Sequence, residues 1–397
     1  MLALILAAGW WYGERAGWWL ASPYVATGSQ SELETEPALP PTPKVKHLPA
    51  PESVKALYMT QCAAATPSLT NHLLALASST EINSIVIDLK DYSGTVSFPS
   101  ATAVAGGPGC TIPNFAELVE KMHDQDLYVI GRLTVFQDPL FTKVHPELAV
   151  QSKGRGGPWK DRKGLSFVDV GARPFWTYIE SLAGEAYELG VDEINFDYIR
   201  YPSDGDMSDT EYTHSVGPKA EMLEQFFQTL TSSLRSKFTN PPIILSADLF
   251  GMTATNYDDL NIGQVLERAL PHFDYIAPMV YPSHYPKNFN GWANPNEHAY
   301  DIIFYSMSRA AERAVATTTP VAGLTHTRLG TSTPAVYAKA AYSKEKLRPW
   351  LQDFDYPVTY TPEMVRAQIQ ATYDAGLDSW MMWDPSNSYN SSVYQAE

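Results

Sequence analysis

Two aspartates, Asp197 and Asp248, have the residue type and the placement that acid–base chemistry needs. Asp197 lies in the run Glu193–Pro202, where apolar and polar residues alternate as in a β-strand and the final proline prevents further strand pairing. Asp248 lies in a second strand-like run, residues 243–251. Cleavage of a glycosidic bond needs one protonated carboxyl group and one ionised carboxylate. The two aspartates therefore predict a carboxylate pair for such a reaction.

The surroundings of each aspartate suggest its role. Apolar neighbours along its strand would raise the pKa of Asp248, as a general acid requires. Asp197 is predicted to be the nucleophile or base, kept ionised by an ion pair with Arg200. An aspartate at a strand end can instead cap a loop or anchor an arginine. The dense polar cluster around Asp197 favours function there, because a core strand would avoid such residues.

The elements that must position these aspartates alternate between strand and helix patterns, which predicts a parallel sheet. Eight strands of this kind predict an α/β fold, a (β/α)8 TIM barrel. Long polar segments follow the second, third, fourth and sixth strands, so the site is expected at the carboxyl end of the barrel. The predicted strands are 54–60, 84–91, 127–136, one through Asp197, 243–251, 275–285, 320–329 and 379–385, and the helices are 68–78, 114–125, 174–189, 221–238, 262–270, 300–315 and 361–375.

Aromatic and polar side chains near the predicted strand ends would suit a sugar, whose apolar face stacks on aromatic rings while its hydroxyls form hydrogen bonds. Two of these residues have open alternatives. Asp88 is equally well explained as a buried partner of Lys90 or Arg132, and Asp384 could bind a sugar without taking part in catalysis. The predicted substrate-binding residues are Tyr58, Asp88, Arg132, Tyr198, Arg200, Tyr281, His284, Trp350, Gln352, Trp383 and Asp384.

Seven motifs in order along the chain resemble a bacterial family of uncharacterised glycoside hydrolases with a (β/α)8 barrel. The resemblance extends from about residue 54 to residue 389, and it implies the barrel fold and hydrolysis of a glycan. The motifs are VIDLKDYSG (86–94), VIGRLTVFQDP (129–139), INFDYIRYPS (194–203), SADLFG (246–251), MVYPSHY (279–285), RPWLQDF (348–354) and WMMWDPSNSY (380–389).

Composition argues against several other classes of protein. The 397 residues carry a net charge of -16, which disfavours binding to nucleic acid phosphates. The two cysteines and nine histidines show no metal-ligand spacing, so we expect no metal and no organic cofactor. A metal-dependent deacetylase would need clustered ligands and is the weakest alternative. In an oxidising compartment Cys62 and Cys110 could pair, and the sequence leaves this open.

The amino-terminal part of the chain divides into two segments before the barrel. Residues 1–26 are apolar and rich in tryptophan, which predicts an export signal or membrane anchor, with a buried helix as the alternative. Residues 27–52 are rich in Pro, Ser, Glu and Thr and predict an extended linker. The barrel domain is expected over residues 53–397.

These observations predict an extracytoplasmic enzyme, membrane-anchored or secreted, that hydrolyses a polysaccharide or oligosaccharide. The alternative is a non-catalytic carbohydrate-binding barrel tethered at the cell surface, in which the carboxylates only form hydrogen bonds to the glycan. The separation of Asp197 and Asp248 in the fold bears on this choice, because catalysis requires the two groups to face one cleft.

Overall fold

The computed structural model describes residues 45–396, and they contain a closed barrel of eight parallel strands. Each strand pairs with the next along the chain, and the last pairs with the first. This confirms the predicted (β/α)8 barrel. The strands are β1 (Lys55–Met59), β2 (Ser84–Lys90), β3 (Tyr128–Thr134), β4 (Glu193–Asp197), β5 (Ile244–Phe250), β6 (Tyr275–Met279), β7 (Trp350–Gln352) and β8 (Trp380–Trp383).

The helices surround the barrel and mostly match the predicted positions. The last begins where Thr361 accepts a hydrogen bond from the backbone N–H of Met364 and Pro362 occupies the first turn, as expected from the sequence. Within residues 45–396, no helix is both long and apolar enough to cross a bilayer. The helices are α1 (Gln61–Ala64), α2 (Pro67–Ala77), α3 (Phe115–His123), α4 (Pro139–Val144), α5 (Arg173–Glu188), α6 (Lys219–Lys237), α7 (Leu266–Ala269), α8 (Ala299–Val315) and α9 (Pro362–Asp374).

The seventh barrel strand was predicted at residues 320–329, and this was wrong. The barrel uses Trp350–Gln352, in which all three residues are buried. Residues 327–329 instead form an edge of a small antiparallel sheet whose other strands are Thr318–Thr319 and Val336–Ala338. The strand β7 has three residues, too few to produce a recognisable alternation of apolar and polar positions.

Alternation along the strands separates the barrel interior from the face covered by helices. Ile194 and Phe196 of β4, and Leu245, Ala247 and Leu249 of β5, pack in the main core cluster between strands and helices. The intervening residues of both strands therefore point into the barrel. This arrangement turns Asp197 and Asp248 towards a common interior.

Residues 45–52 contact the barrel, although their composition predicted a linker. The backbone N–H of Leu48 donates to Asp192 Oδ1 over 2.6 Å, and the ring of His47 stacks on Tyr187 with 4.1 Å between centroids. The apolar segment 1–26 and the linker as far as residue 44 lie outside the described residues. Their roles stay predictions.

Cys62 and Cys110 form a disulfide, with their Cα atoms 4.9 Å apart. The bond connects α1 to the long segment that follows β2. The pairing that the sequence left open is therefore present in the fold.

Candidate active site

Arg132 lies at the centre of three inward-facing carboxylates at the carboxyl end of the barrel. Its Nη1 is 2.6 Å from Asp88 Oδ1, and its Nε is 3.1 Å from Asp197 Oδ2, which also accepts from Nη2. The same Nε lies 3.8 Å from Asp248 Oδ2. All four side chains are nearly inaccessible to solvent. The positive charge of this one guanidinium thus offsets part of the free-energy cost of burying the three acidic side chains.

The two predicted catalytic carboxylates are close together. Their distances to Arg132 Nε are 3.1 Å for Asp197 Oδ2 and 3.8 Å for Asp248 Oδ2. The two oxygens are therefore at most about 7 Å apart, a limit compatible with carboxyl spacings of either retaining or inverting glycosidases.

The two oxygens of Asp248 have different surroundings. Its Oδ1 accepts hydrogen bonds from Asn195 Nδ2 at 2.9 Å and from Trp350 Nε1 at 2.8 Å. Its Oδ2 has no hydrogen-bond partner among the described residues. Burial raises the pKa of Asp248 well above its usual value, and the nearby charge of Asp197 raises it further against the opposing effect of Arg132. The carboxyl group can therefore keep a proton on Oδ2.

Both oxygens of Asp197 accept hydrogen bonds. Besides the contacts of Arg132 to Oδ2, Oδ1 accepts from the backbone N–H of Tyr198 at 2.5 Å. Tyr198 has a φ of 51°, an uncommon value for a residue with a side chain, and it marks the abrupt turn at the end of β4. Such charge-assisted hydrogen bonds favour the ionised form.

Arg200 was predicted to pair with Asp197, but the ion partner of Asp197 is Arg132. Arg200 Nη1 instead donates to Tyr201 O at 3.1 Å and to Ser203 Oγ at 3.2 Å. The chain turns sharply after Asp197, so a residue three positions later no longer lies beside that carboxylate.

Asp88 lies next to this pair and is tied into the protein by two partners. The hydroxyl of Tyr58 donates to its Oδ2 at 2.5 Å, and Arg132 contacts its other oxygen. Burial raises the pKa of Asp88, although Arg132 acts in the opposite direction. Of the two partners considered from the sequence, Arg132 is the one found, since Lys90 pairs with Asp138 at 2.9 Å.

A cavity of about 700 Å³ opens above the acidic cluster. Its volume lies within the usual range for ligand pockets. The structure brings both predicted catalytic residues and seven of the predicted binding residues to its lining, and it places Tyr58, Asp88, Gln352 and Asp384 outside that lining. The predicted residues that line it are Asp197, Asp248, Arg132, Tyr198, Arg200, Tyr281, His284, Trp350 and Trp383.

Gln352 and Asp384 direct their polar atoms towards the protein. Gln352 is fully buried, and its Nε2 donates to two backbone carbonyl oxygens at 3.0 Å. Asp384 accepts from Ser386 and from the backbone N–H of Ser388 at 2.8 to 2.9 Å. Both residues hold loops near the cavity, and their predicted contact with a sugar stays a prediction.

The aromatic cluster at the cavity floor is partly packed against itself. The ring of Trp383 stacks on Tyr58 with 3.8 Å between centroids, and Arg132 Cζ lies 4.8 Å from the centre of Trp383. Trp350 meets both rings edge-on. These residues therefore hold the carboxylates in place in addition to lining the cavity.

Several residues that line the cavity or contact its carboxylates were missed or undervalued from the sequence. Asn195 lies two residues before Asp197 on the same strand, and the two-residue period of a strand could have identified it as inward-facing. Lys163 comes from the long segment after β3, and Phe354 follows β7. No local pattern signals that such loop residues return to the site. Within residues 45–396, no three His, Cys, Asp or Glu side chains are grouped as metal ligands.

Residues 56–389 match the family model DUF4015, described as a putative glycosyl hydrolase domain. No curated protein matches the chain. A hypothetical protein from Ruminiclostridium thermocellum ATCC 27405 is 33% identical, with 48% of this chain and 96% of that chain covered and a TM-score of 0.41.

One distant structure supports the barrel fold. The PgaB (BpsB) glycoside hydrolase domain from Bordetella bronchiseptica is 11% identical and has a TM-score of 0.59, with 86% of this chain and 99% of that chain covered. The glycoside hydrolase domain of PelA from Pseudomonas aeruginosa is 12% identical, with coverages of 86% and 97% and a TM-score of 0.43. At such identities the likeness to PgaB shows the fold alone.

Proposed function

The chain belongs to the DUF4015 family of putative glycosyl hydrolase domains, and we propose that it cleaves glycosidic bonds in a polysaccharide by a two-carboxylate mechanism. Asp248 is the general acid, and Asp197 is the nucleophile or the base. The observation that carries the proposal is the closeness of Asp197 to Oδ2 of Asp248, an oxygen without a hydrogen-bond partner among the described residues, at one cavity that both residues line.

The acid has the properties that protonation of a leaving oxygen requires. Burial and, after it, the charge of Asp197 raise the pKa of Asp248 well above its usual value, which favours the protonated carboxyl group. Asn195 and Trp350 occupy Oδ1, which leaves Oδ2 to carry that proton. The proton is therefore assigned to the oxygen that has no hydrogen-bond partner among the described residues; this oxygen is buried, so a substrate must displace neighbouring side chains to reach it.

The second carboxylate has the opposite environment. Arg132 and the backbone N–H of Tyr198 hold Asp197 as an anion. An anion close to a neutral acid is the pairing that both retaining and inverting hydrolysis use. Aromatic rings at the walls, among them Tyr281 and Phe354, offer surfaces for sugar rings.

We also propose that the protein works outside the cytoplasm, membrane-anchored or secreted. The disulfide between Cys62 and Cys110 supports this, because such bonds persist in oxidising compartments. Thiol labelling of the unfolded protein, taken directly from its own host cells, tests the proposal. Labelled cysteines in most molecules would contradict it.

A second candidate is a barrel that binds a glycan without cleaving it. The contacts to both oxygens of Asp197 favour this candidate, because a nucleophile needs one oxygen available. Substrate would have to displace one of these donors for Asp197 to attack carbon.

Single variants Asp197→Asn and Asp248→Asn distinguish the two candidates. Each should reduce the rate of release of reducing ends from a cleaved glycan by about 100- to 10,000-fold, because each removes one half of the acid–base pair. Asp378→Asn, at an exposed position outside the cavity lining, is the control and should retain activity. Folded Asp197→Asn and Asp248→Asn proteins with full activity would contradict the mechanism. Binding without cleavage by the native protein would favour the second candidate.

A further inference from the structure

Arg200 differs from the other buried arginines of the protein. Arg132, Arg268, Arg313 and Arg348 are each buried and each lies within 2.7 Å of a carboxylate oxygen. Arg200 is 8% exposed, yet among residues 45–396 no carboxylate oxygen lies within 4.0 Å of its nitrogens. A buried charge normally requires a partner of opposite charge. Arg200 therefore has room for an anion that the protein itself does not supply.

The surroundings of Arg200 fix its guanidinium without neutralising it. Its Cζ lies 4.8 Å from the ring centre of Tyr198 and 4.9 Å from that of Phe250. These rings offer a cation–π attraction, and Nη1 donates to Tyr201 O and Ser203 Oγ. In the described part of the chain, Nε and Nη2 donate no hydrogen bond. The guanidinium is thus oriented in advance and keeps free donors at the wall of the catalytic cavity.

A second cation, Lys163, lines the same cavity. Its side chain is exposed, and within residues 45–396 it has no carboxylate oxygen within 4.0 Å. It also contributes to the lowered pKa of His284, after the larger effect of burial, so these two side chains lie close enough to interact. The chain as a whole has a net charge of -16, whereas this cavity wall carries two cations without ion pairs among the described residues.

The acidic residues of this wall are engaged elsewhere. Asp161 Oδ1 accepts from the backbone N–H groups of Lys163 and Leu165 at 2.9 and 2.8 Å. Asp204 Oδ1 pairs with Arg162 at 3.4 Å near the surface. Asp197 and, more weakly, Asp161 act on Arg200 electrostatically, each from beyond ion-pair distance. None of these carboxylates therefore takes the place of the missing partner.

We propose, resting on the proposed glycosidase function, that the substrate glycan contains a carboxylated sugar and that Arg200 binds its carboxylate. The forked guanidinium matches the two oxygens of a carboxylate and can donate to both. Lys163 adds a second positive charge at the cavity mouth. Arg200 is a specificity-determining residue in this arrangement, while Asp197 and Asp248 carry out the bond cleavage.

Two kinds of sugar carry such a group, and the experiment separates them. Uronic acids have the carboxylate at C6, whereas muramic acid has it on a lactyl ether. The probes are polygalacturonate, alginate and hyaluronan oligomers, each beside its carboxyl-reduced form. Peptidoglycan strands stripped of peptides are compared with strands whose lactyl carboxylate is methyl-esterified. Calorimetry with the Asp248→Asn protein measures binding apart from cleavage, so failure of the catalytic proposal does not obscure the result.

We expect at least one carboxylated probe to bind more tightly than its neutral form, and its identity assigns the source of the carboxylate. Adding Arg200→Gln should weaken binding of that probe by about 10- to 100-fold and change binding of the neutral form by less than twofold. Adding Arg155→Gln removes an exposed charge from the long segment after β3, outside the cavity lining, and is the matched control, with no effect expected. If Arg200→Gln does not fold, Lys163→Met on the exposed loop provides a smaller loss in the same direction.

Two results would overturn the proposal. One is that no carboxylated probe binds more tightly than its neutral form. The other is that Arg200→Gln weakens binding of carboxylated and neutral probes equally, because the residue would then only shape the cavity.

Discussion

Trp350 donates its indole N–H to Oδ1 of Asp248 over 2.8 Å, so a residue of β7 sets the electrostatic environment of the acid on β5. The indole proton stabilises the ionised carboxylate, whereas burial and Asp197 favour the protonated form. The pKa of Asp248 is the balance of these effects. Each of them can be removed separately by substitution.

Replacement of Trp350 by phenylalanine should move the alkaline limb of the pH–activity profile to higher pH. A general acid is active while protonated, so activity is lost as pH rises through its pKa. Loss of one N–H donor removes about 1 kcal/mol that stabilised the ionised form, which raises the pKa of Asp248 by about 0.7 unit. The profile of kcat/KM against pH measures this shift.

Trp383→Phe is the control for this prediction. Trp383 belongs to the same aromatic cluster, but the contacts of Asp248 within the described chain do not include it. The alkaline limb of the pH–activity profile of Trp383→Phe should therefore stay where it is in the native protein. A Trp350→Phe limb that is unmoved, or that moves to lower pH, would contradict the role given to the indole.

Arg132 should be far more important for stability than an arginine in a surface pair. Arg132→Gln leaves Asp88 and Asp197 buried without their cation and should lower the free energy of unfolding by about 3–5 kcal/mol. Arg132→Lys keeps the positive charge but lacks the forked guanidinium group, and it should lower the free energy of unfolding by less. Denaturant unfolding measures both changes. In Arg235→Gln, the control, a partly exposed pair with Asp274 is lost, at a cost of about 1 kcal/mol or less. Equal losses in Arg132→Gln and Arg235→Gln would show that the buried cluster does not depend on Arg132.

Much of the barrel could be predicted because its strands and helices differ in period. The strand β2 is buried along its whole length and β5 is buried except at its two end residues, and both stand out as apolar runs. The strand β7 has only three residues, and its position is fixed by pairing with β6 and β8 and not by a local pattern. Residues 320–329 were therefore predicted as the seventh barrel strand, and this was wrong.

The candidate site was predictable to the extent that it lies on strands. Asp197 and Asp248 occupy inward positions of neighbouring strands, and pairing of β4 with β5 brings them together. The partner of Asp197 could not be deduced in the same way. The turn at Tyr198 takes Arg200 away, while Arg132 arrives from β3, which pairs with β4 on the other side. Contacts between strands distant in sequence depend on the closed barrel.

The disulfide should contribute measurably to stability. It closes a loop of 48 residues, and removal of such a constraint from the unfolded chain costs about 2–4 kcal/mol. The double variant Cys62→Ser/Cys110→Ser should therefore unfold at lower denaturant concentration than the native protein. Reductant should destabilise the native protein to a similar degree and leave the double variant unchanged. A reductant effect of equal size in both proteins would contradict the prediction.

Asp353 should make the stability of the folded protein depend on pH. Burial and the neighbouring charge of Asp384 raise the pKa of Asp353 to about 7, above its value of about 3.9 in an unfolded chain. The folded state therefore holds this proton more tightly than the unfolded state does. The stabilisation that this proton gives to the folded state is fully present below about pH 4, and it is lost as the pH rises towards and through 7.

Substitution of Asp353 by asparagine removes this titration. The melting temperature of Asp353→Asn, relative to that of the native protein, should rise by about 1–2 °C between pH 5 and pH 8. Asp378→Asn, at an exposed position, is the control and should keep a constant difference from the native protein over the same range. A relative melting temperature for Asp353→Asn that stays constant or falls with pH would mean that Asp353 does not bind its proton more tightly in the folded state, because only a raised pKa gives this sign.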